Sequence, residues 1–212
     1  GEVRLQVYYQ NLMGCLIKSR RSLIKSALAL TFIIISLLSS QVSASEDPFD
    51  EKLVLRRQTL VVRDIEKSLA LYRDAIGMEV IYDQVIKRPL SGSDREQVLR
   101  LIFLKASNQY TGVLGLVDYE YGYPDHPAHT KPIRHEGFTP GNSILVFNSN
   151  ELSESWPLIQ KSPGVKIITK PKLTTYPGYG GEGIIRVMVS KFYDPDGFLV
   201  EMNQLLDPLE PQ

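Results

Sequence analysis

The sequence predicts an α+β fold made of two βαβββ modules in tandem. Three observations carry this. Residues 55–80 change from a period of two to a period near 3.6 and back within one stretch. The same pattern returns 85 residues later, where Ile144-Leu145-Val146-Phe147 follows Thr59-Leu60-Val61-Val62, and Glu151 and Ser153 follow Glu66 and Ser68. Each helical stretch is also followed by three further strand-like runs before the next long break.

The elements follow in order. Residues 52–62 read as a strand, with Leu60 and Val62 on one face and Arg57, Thr59 and Val61 on the other. Asp64 is a good N-cap for a helix over 64–76, whose apolar stripe is Ile65, Leu69, Tyr72 and Ile76. Gly77 stands where a helix end favours a left-handed residue. Strands over 78–86, 97–106 and 113–118 complete module one, residues 52–118. A connection over 119–141 holds four prolines and all three histidines. A loop of that length is usually functional or mobile. Module two, residues 142–204, has a helix over 151–161 interrupted at Pro157, a strand over 165–169, a Gly- and Tyr-containing loop over 173–183, and strands over 184–192 and 198–204 around a turn at 194–197. The domain is placed at 52–206, after a linker at 45–51 and before a tail at 207–212.

Composition removes several classes. The formal charge is zero, and residues 1–44 hold five of the 24 basic residues and one of the 24 acidic ones, so the remainder is mildly acidic. That gives no electrostatic case for binding nucleic acid. Cys15 is the only cysteine, which excludes an internal disulfide framework and a thiolate zinc site.

Residues 1–44 read as a leader, with the signal peptide itself at 13–44 and Met13 a candidate true start. Lys18, Arg20, Arg21 and Lys25 precede a twelve-residue apolar run, Ala27 to Leu38, and Val42-Ser43-Ala44 suits cleavage after Ala44. Twelve helical residues span about 18 Å against a hydrocarbon core of about 30 Å, so no stable membrane span is expected in the mature chain. Ser19-Arg20-Arg21-Ser22-Leu23-Ile24-Lys25 is similar to a twin-arginine export signal. The expectation is an exported protein of the bacterial periplasm, by that route or the ordinary secretory one; an uncleaved anchor is the alternative.

The pattern Leu60, Val62, Asp64, Ser68, Tyr72, Gly77 and Val80 resembles the opening of the vicinal oxygen chelate superfamily, the glyoxalase, bleomycin-resistance and extradiol dioxygenase group. Asp194-Pro195-Asp196-Gly197-Phe198-Leu199-Val200-Glu201 resembles its closing strand. The resemblance implies a mixed sheet curled around a central cavity that holds a small-molecule ligand. Four inward metal-ligand positions are implied, at Arg57, Gly115, Asn142 and Glu201. Of these only Glu201 is an ordinary ligand, because a guanidinium stays protonated and has no lone pair to offer. A divalent zinc, nickel, manganese or ferrous ion is therefore open as a cofactor, but Arg57, Gly115 and Asn142 argue against the usual site.

Glu201 and Arg57 are the candidate catalytic pair, with Arg57 as a counter-charge to Glu201 in place of a metal. Gln58, His126, His129 and His135 are alternative ligands, and the histidines read equally as surface loop residues. Arg186, Asn203, Tyr176 and Tyr179 are candidate substrate contacts. Two functions stand side by side: a glyoxalase I-like lyase or dioxygenase-like enzyme with a degenerate metal site, and a non-enzymatic binding protein of the bleomycin-resistance type. Related domains pair through their sheets, so a homodimer is also expected.

Overall fold

In the computed structural model, which describes residues 52–208, β1 (Arg57–Val61) gives way within four residues to a helix. The leader with its export signal, the linker over 45–51 and the end of the tail lie outside the described residues. Asp64 is extended, and its carboxylate accepts from the Lys67 N–H, capping α1 (Ile65–Leu69). α1 continues as a π-helix over Ala70–Ala75, in which the Ile76 N–H donates to the Leu71 carbonyl, five residues back. The wider turn alters the expected stripe: Leu71, Tyr72 and Ala75 are buried, while Ile76 is only half-buried.

β2 (Glu79–Pro89), β3 (Glu96–Lys105) and β4 (Val113–Asp118) follow. A short helix, α2 (Pro127–Thr130), lies in the long connection. Then come β5 (Ile144–Asn148), α3 (Leu152–Lys161), β6 (Lys166–Pro177), β7 (Ile184–Tyr193) and β8 (Leu199–Leu205). α3 keeps Pro157 inside it, where the residue has no N–H to give. β6 is longer than the sequence suggests, one twelve-residue strand with two register shifts, so the glycine-rich loop shrinks to residues 178–183.

The single curled sheet around a central cavity is not what forms. The strands make two separate four-stranded sheets, β1-β4-β3-β2 and β5-β8-β7-β6, with no ladder between β1 and β5. Each is mixed: β1 runs parallel to β4 and β5 parallel to β8, and the other pairs are antiparallel. Closing a sheet needs a continuous ladder of tilted strands. Here β1 and β5 are both edges. Each sheet packs one face toward the helices; on the opposite face the inner strands are buried too, through Val113, Val117 and Leu199, and only the edges are open, with Val61 57% and Val146 62% exposed.

The repeat between modules is real, but its register differs from the sequence match. The Ser68 hydroxyl donates to the Asp64 carbonyl, and the Ser155 hydroxyl to the Glu151 carbonyl. The Val62 N–H donates to the Val117 carbonyl, and the Ser149 N–H to the Asn203 carbonyl. Ser68 therefore corresponds to Ser155 and Arg57 to Ile144, a slip of two residues. A slip of two preserves the inward and outward alternation, so apolar pattern alone does not expose it.

One apolar cluster joins the modules under the helices, including Leu60, Tyr72, Ile102 and Leu116 from the first and Trp156, Ile159, Phe192 and Met202 from the second. The closing-strand motif clasps the two together. Fully buried Asp194 accepts from the Tyr72 hydroxyl at 2.9 Å and from the N–H groups of Asp196 and Phe198. Asp196 accepts from the Arg63 guanidinium at 2.7 Å and from the Arg63 N–H. The two stretches that carry the family resemblance thus meet, and their acidic residues hold structure together.

Candidate functional site

The open face of the first sheet is built by strand alternation. Thr59 pairs with Gly115, Gly115 with Phe103, and Phe103 with Tyr82, so one row crosses all four strands on one side. Gly115 has a local reason. A Cβ there would sit 2.7 Å from Thr59 Oγ1 and 3.2 Å from Arg57 Cδ. The missing side chain lets Arg57 lie across the sheet, its guanidinium 4.0 Å from the Phe103 ring centroid. Phe103 in turn stacks on Tyr82 at 4.7 Å and 21°. Among the described residues Arg57 forms no ion pair. It also lines a cavity of about 240 Å³ between the two sheet edges, with Gln58, Leu55, Val113, Val146 and Phe147 among the walls.

The open face of the second sheet carries Glu201. The Lys191 ammonium lies 3.3 Å from its carboxylate, and the Asn203 amide donates to it at 3.3 Å. Lys191 Nζ is also 4.8 Å from the Phe138 ring. The expected Arg57–Glu201 ion pair is therefore not made within the chain; Lys191 is the counter-charge. Sequence reasoning missed Lys191 and Phe103. Lys191 pairs directly with Glu201 across β7 and β8 and so shares its face, a register that no local pattern in the sequence gives.

The donor set does not suit a divalent ion. No three His, Cys, Asp or Glu side chains gather to hold a metal among the described residues. Asn142 lies before β5, its amide donating to the Gly137 carbonyl and its oxygen accepting from the Ser143 N–H. By ladder register the position equivalent to Arg57 is Ile144, which has no donor atom.

The other candidates are placed as follows. Arg186 is committed to Asp207, with contacts down to 2.6 Å. Tyr176 and Tyr179 are exposed, on β6 and in the 178–183 turn. His126 caps α2, its Nδ1 accepting from the Ala128 N–H, and Nε2 stands 3.8 Å from Glu120. The His135 ring packs on Tyr193 at 4.7 Å, and burial followed by the charge of Lys166 lowers its pKa.

His129 meets Asp118 at 3.0 Å where β4 ends, beside a concavity of about 400 Å³ that also involves Arg63, Glu66 and Lys67. Its charged groups are already paired: Arg63 with Asp196, Lys67 with Asp64 and His129 with Asp118. This concavity therefore makes no electrostatic demand for a ligand. Burial opposes the imidazolium, but hydrogen bonding and charge from Asp118, with the Pro124 and Tyr123 carbonyls, outweigh it and raise the His129 pKa. A raised folded pKa gives stability that is complete below the unfolded value near 6.5 and lost as pH rises through the folded one. Amide hydrogen exchange over 119–134, corrected for intrinsic rate, is expected to quicken from pH 6 to pH 8. His129→Gln should remove that dependence, and an unchanged profile in the variant would contradict this role.

Residues 54–202 match the family model described as the Glyoxalase/Bleomycin resistance protein/Dioxygenase superfamily. No curated protein matches. Among solved structures, a glyoxalase family protein from Bacillus cereus is similar with a TM-score of 0.52 and 12% identity, over 74% of this chain and 97% of that one. An antibiotic-binding protein from a Streptomyces species has a TM-score of 0.42 and 22% identity, over 74% and 98%. A family enzyme from Burkholderia phytofirmans has 0.43 and 18%, over 73% and 100%. At these identities the likeness concerns the fold alone. The matched span, covering the two modules and their closing motif, places this chain in the Glyoxalase/Bleomycin resistance protein/Dioxygenase superfamily.

Proposed function

We propose that this protein binds a small molecule without catalysis and without a metal, on the open sheet faces around Arg57 and Glu201. The observation that carries the reading is the donor set. Arg57 and Gly115 cannot ligate, Ile144 replaces the third position, and Glu201 is held by Lys191 and Asn203. An apolar cavity with a few polar groups is the usual form of such a site. The test is a thermal-shift panel of small organic molecules before and after chelator treatment, with metal content measured in parallel. Stabilisation that survives chelation is expected. A stoichiometric divalent metal whose removal abolishes binding would restore the enzyme reading.

Two further parts belong to this proposal. A second copy of the chain covers the open edges of these faces; exposed Val61 and Val146 support this, since such apolar surface favours burial. Sedimentation equilibrium should then give a dimer, and a monomer at every concentration would remove the second copy while leaving the ligand site. Export to the periplasm rests on the leader sequence, and N-terminal sequencing of the protein from a bacterial host tests cleavage after Ala44.

A further inference from the structure

We propose that the tip of the β6–β7 hairpin docks on an anionic lipid surface. Tyr176, Tyr179 and Ile184 enter the headgroup layer, and the lysines of β6 answer the lipid phosphates. This surface is separate from the ligand site above and does not depend on it. The tip is small and apolar. Tyr176 pairs with Ile185 and Pro177 with Ile184. The turn closes through the Gly178 N–H on the Gly183 carbonyl and the Gly181 N–H on the Gly178 carbonyl. A Cβ at Gly178 would collide with the Glu182 carbonyl oxygen, so the tightness of the turn depends on that glycine. Its small residues leave three large ones standing out: Tyr176 is 45%, Tyr179 64% and Ile184 65% exposed. From residue 173 to residue 185 the only charged side chain is Glu182.

Charge then selects the partner. β6 is an edge strand, and its Lys170 and Lys172 are exposed, with no ion pair among the described residues. Edge lysines also keep strands from pairing with other chains. Here they stand directly behind the apolar tip. Lys172 lies four residues before Tyr176, about 13 Å along a strand. A tip that enters a bilayer by about 5–10 Å therefore leaves the Lys172 ammonium near the headgroup phosphates. Tyrosine suits that boundary, because its ring favours an apolar setting and its hydroxyl a wet one. A protein partner would need about 800 Å² on each side, more than three side chains present. A nucleic acid would meet Glu182 among the tyrosines and no cation beside them.

The experiment is fluorescence of the full-length chain carrying Tyr179→Trp, mixed with vesicles of equal parts phosphatidylcholine and phosphatidylglycerol. Trp156, the one native tryptophan, is buried and common to every variant. The emission of the Tyr179→Trp protein is expected to shift to the blue and to be quenched by brominated lipid. Val85→Trp, at an exposed position on β2 of the other sheet, should show neither. This readout is local, so a contact made by the apolar run at 27–38 does not imitate it. Phosphatidylcholine alone should bind at least fivefold more weakly. Lys170→Gln with Lys172→Gln, added to the reporter, should weaken binding to the mixed vesicles by a similar factor, and Glu182→Gln should strengthen it. An unshifted Tyr179→Trp signal from protein that sediments with the vesicles would overturn the proposal. Equal signals at both positions, indifference to phosphatidylglycerol or to the two lysines, or a stronger response to duplex DNA than to vesicles would also overturn it.

Discussion

Gly197→Ala is expected to destabilise the protein by about 3 kcal/mol or more. Two costs coincide. Gly197 has φ +92°, where an L-residue pays about 1–2 kcal/mol. An added Cβ would also collide with the Arg134 carbonyl oxygen and come within 2.9 Å of Ile133 Cγ2. The turn sits between Asp196, which holds Arg63, and Phe198, which holds Asp194, so it cannot shift without opening the clasp between modules. Gly92 is the control: its φ is +75°, but a Cβ there meets nothing within 4 Å. Urea denaturation should give about 1 kcal/mol for Gly92→Ala and clearly more for Gly197→Ala. Equal losses would mean that the approach of residues 133–134 to the turn carries no weight.

The second large effect is a fall in stability as pH rises from 4 to 7. Burial pushes the Asp194 pKa from 3.8 to about 6, against the opposing pull of the Phe198 N–H, the Tyr72 hydroxyl and the Asp196 N–H. Its folded pKa lies above its unfolded one, so its contribution is complete below pH 3.8 and is lost as pH rises through about 6. The span corresponds to roughly 3 kcal/mol. Asp196 shifts the same way, chiefly through burial, and His129 adds a further loss above its unfolded value. Asp64, Asp83 and Glu120 have lowered values, so they oppose the fall up to about pH 5 and leave the slope unmasked between about pH 5 and 7. Asp194→Asn keeps an oxygen for the two N–H groups and offers its amide to Tyr72, but it does not titrate. Thermal midpoints measured across this range should fall with pH in the native protein and much less in the variant. Parallel profiles would contradict the assignment.

Much of the secondary structure is written in local pattern, and less of the architecture and site. Asp64 as N-cap, Gly77 as terminator and the strand alternation around Leu60 depend on neighbours within a few residues, so sequence carries them. Whether the eight strands close or remain two sheets depends on the edges of β1 and β5, which no local pattern encodes. The two-residue slip between modules hid for a similar reason: a slip of two leaves every side chain on its original face. It moved the third ligand position from Asn142 to Ile144. The partners of Glu201 and Arg57 are long-range as well. Lys191 reaches Glu201 across a ladder, and Phe103 reaches Arg57 over a glycine. Asp194 and Asp196 were legible as a family motif, yet their role as a clasp needed Tyr72 and Arg63, more than 120 residues away in the chain.

Backbone amide chemical shifts followed during titration with a stabilising molecule from the thermal-shift panel, with chelator present throughout, test the central claim most directly. The account predicts that the perturbed amides map to Arg57, Val113, Leu114 and Val146, around the cavity between the sheet edges, and that the chelator changes nothing. Perturbations confined to Asp118 and His129, or a response that appears only when a divalent metal is restored, would contradict it.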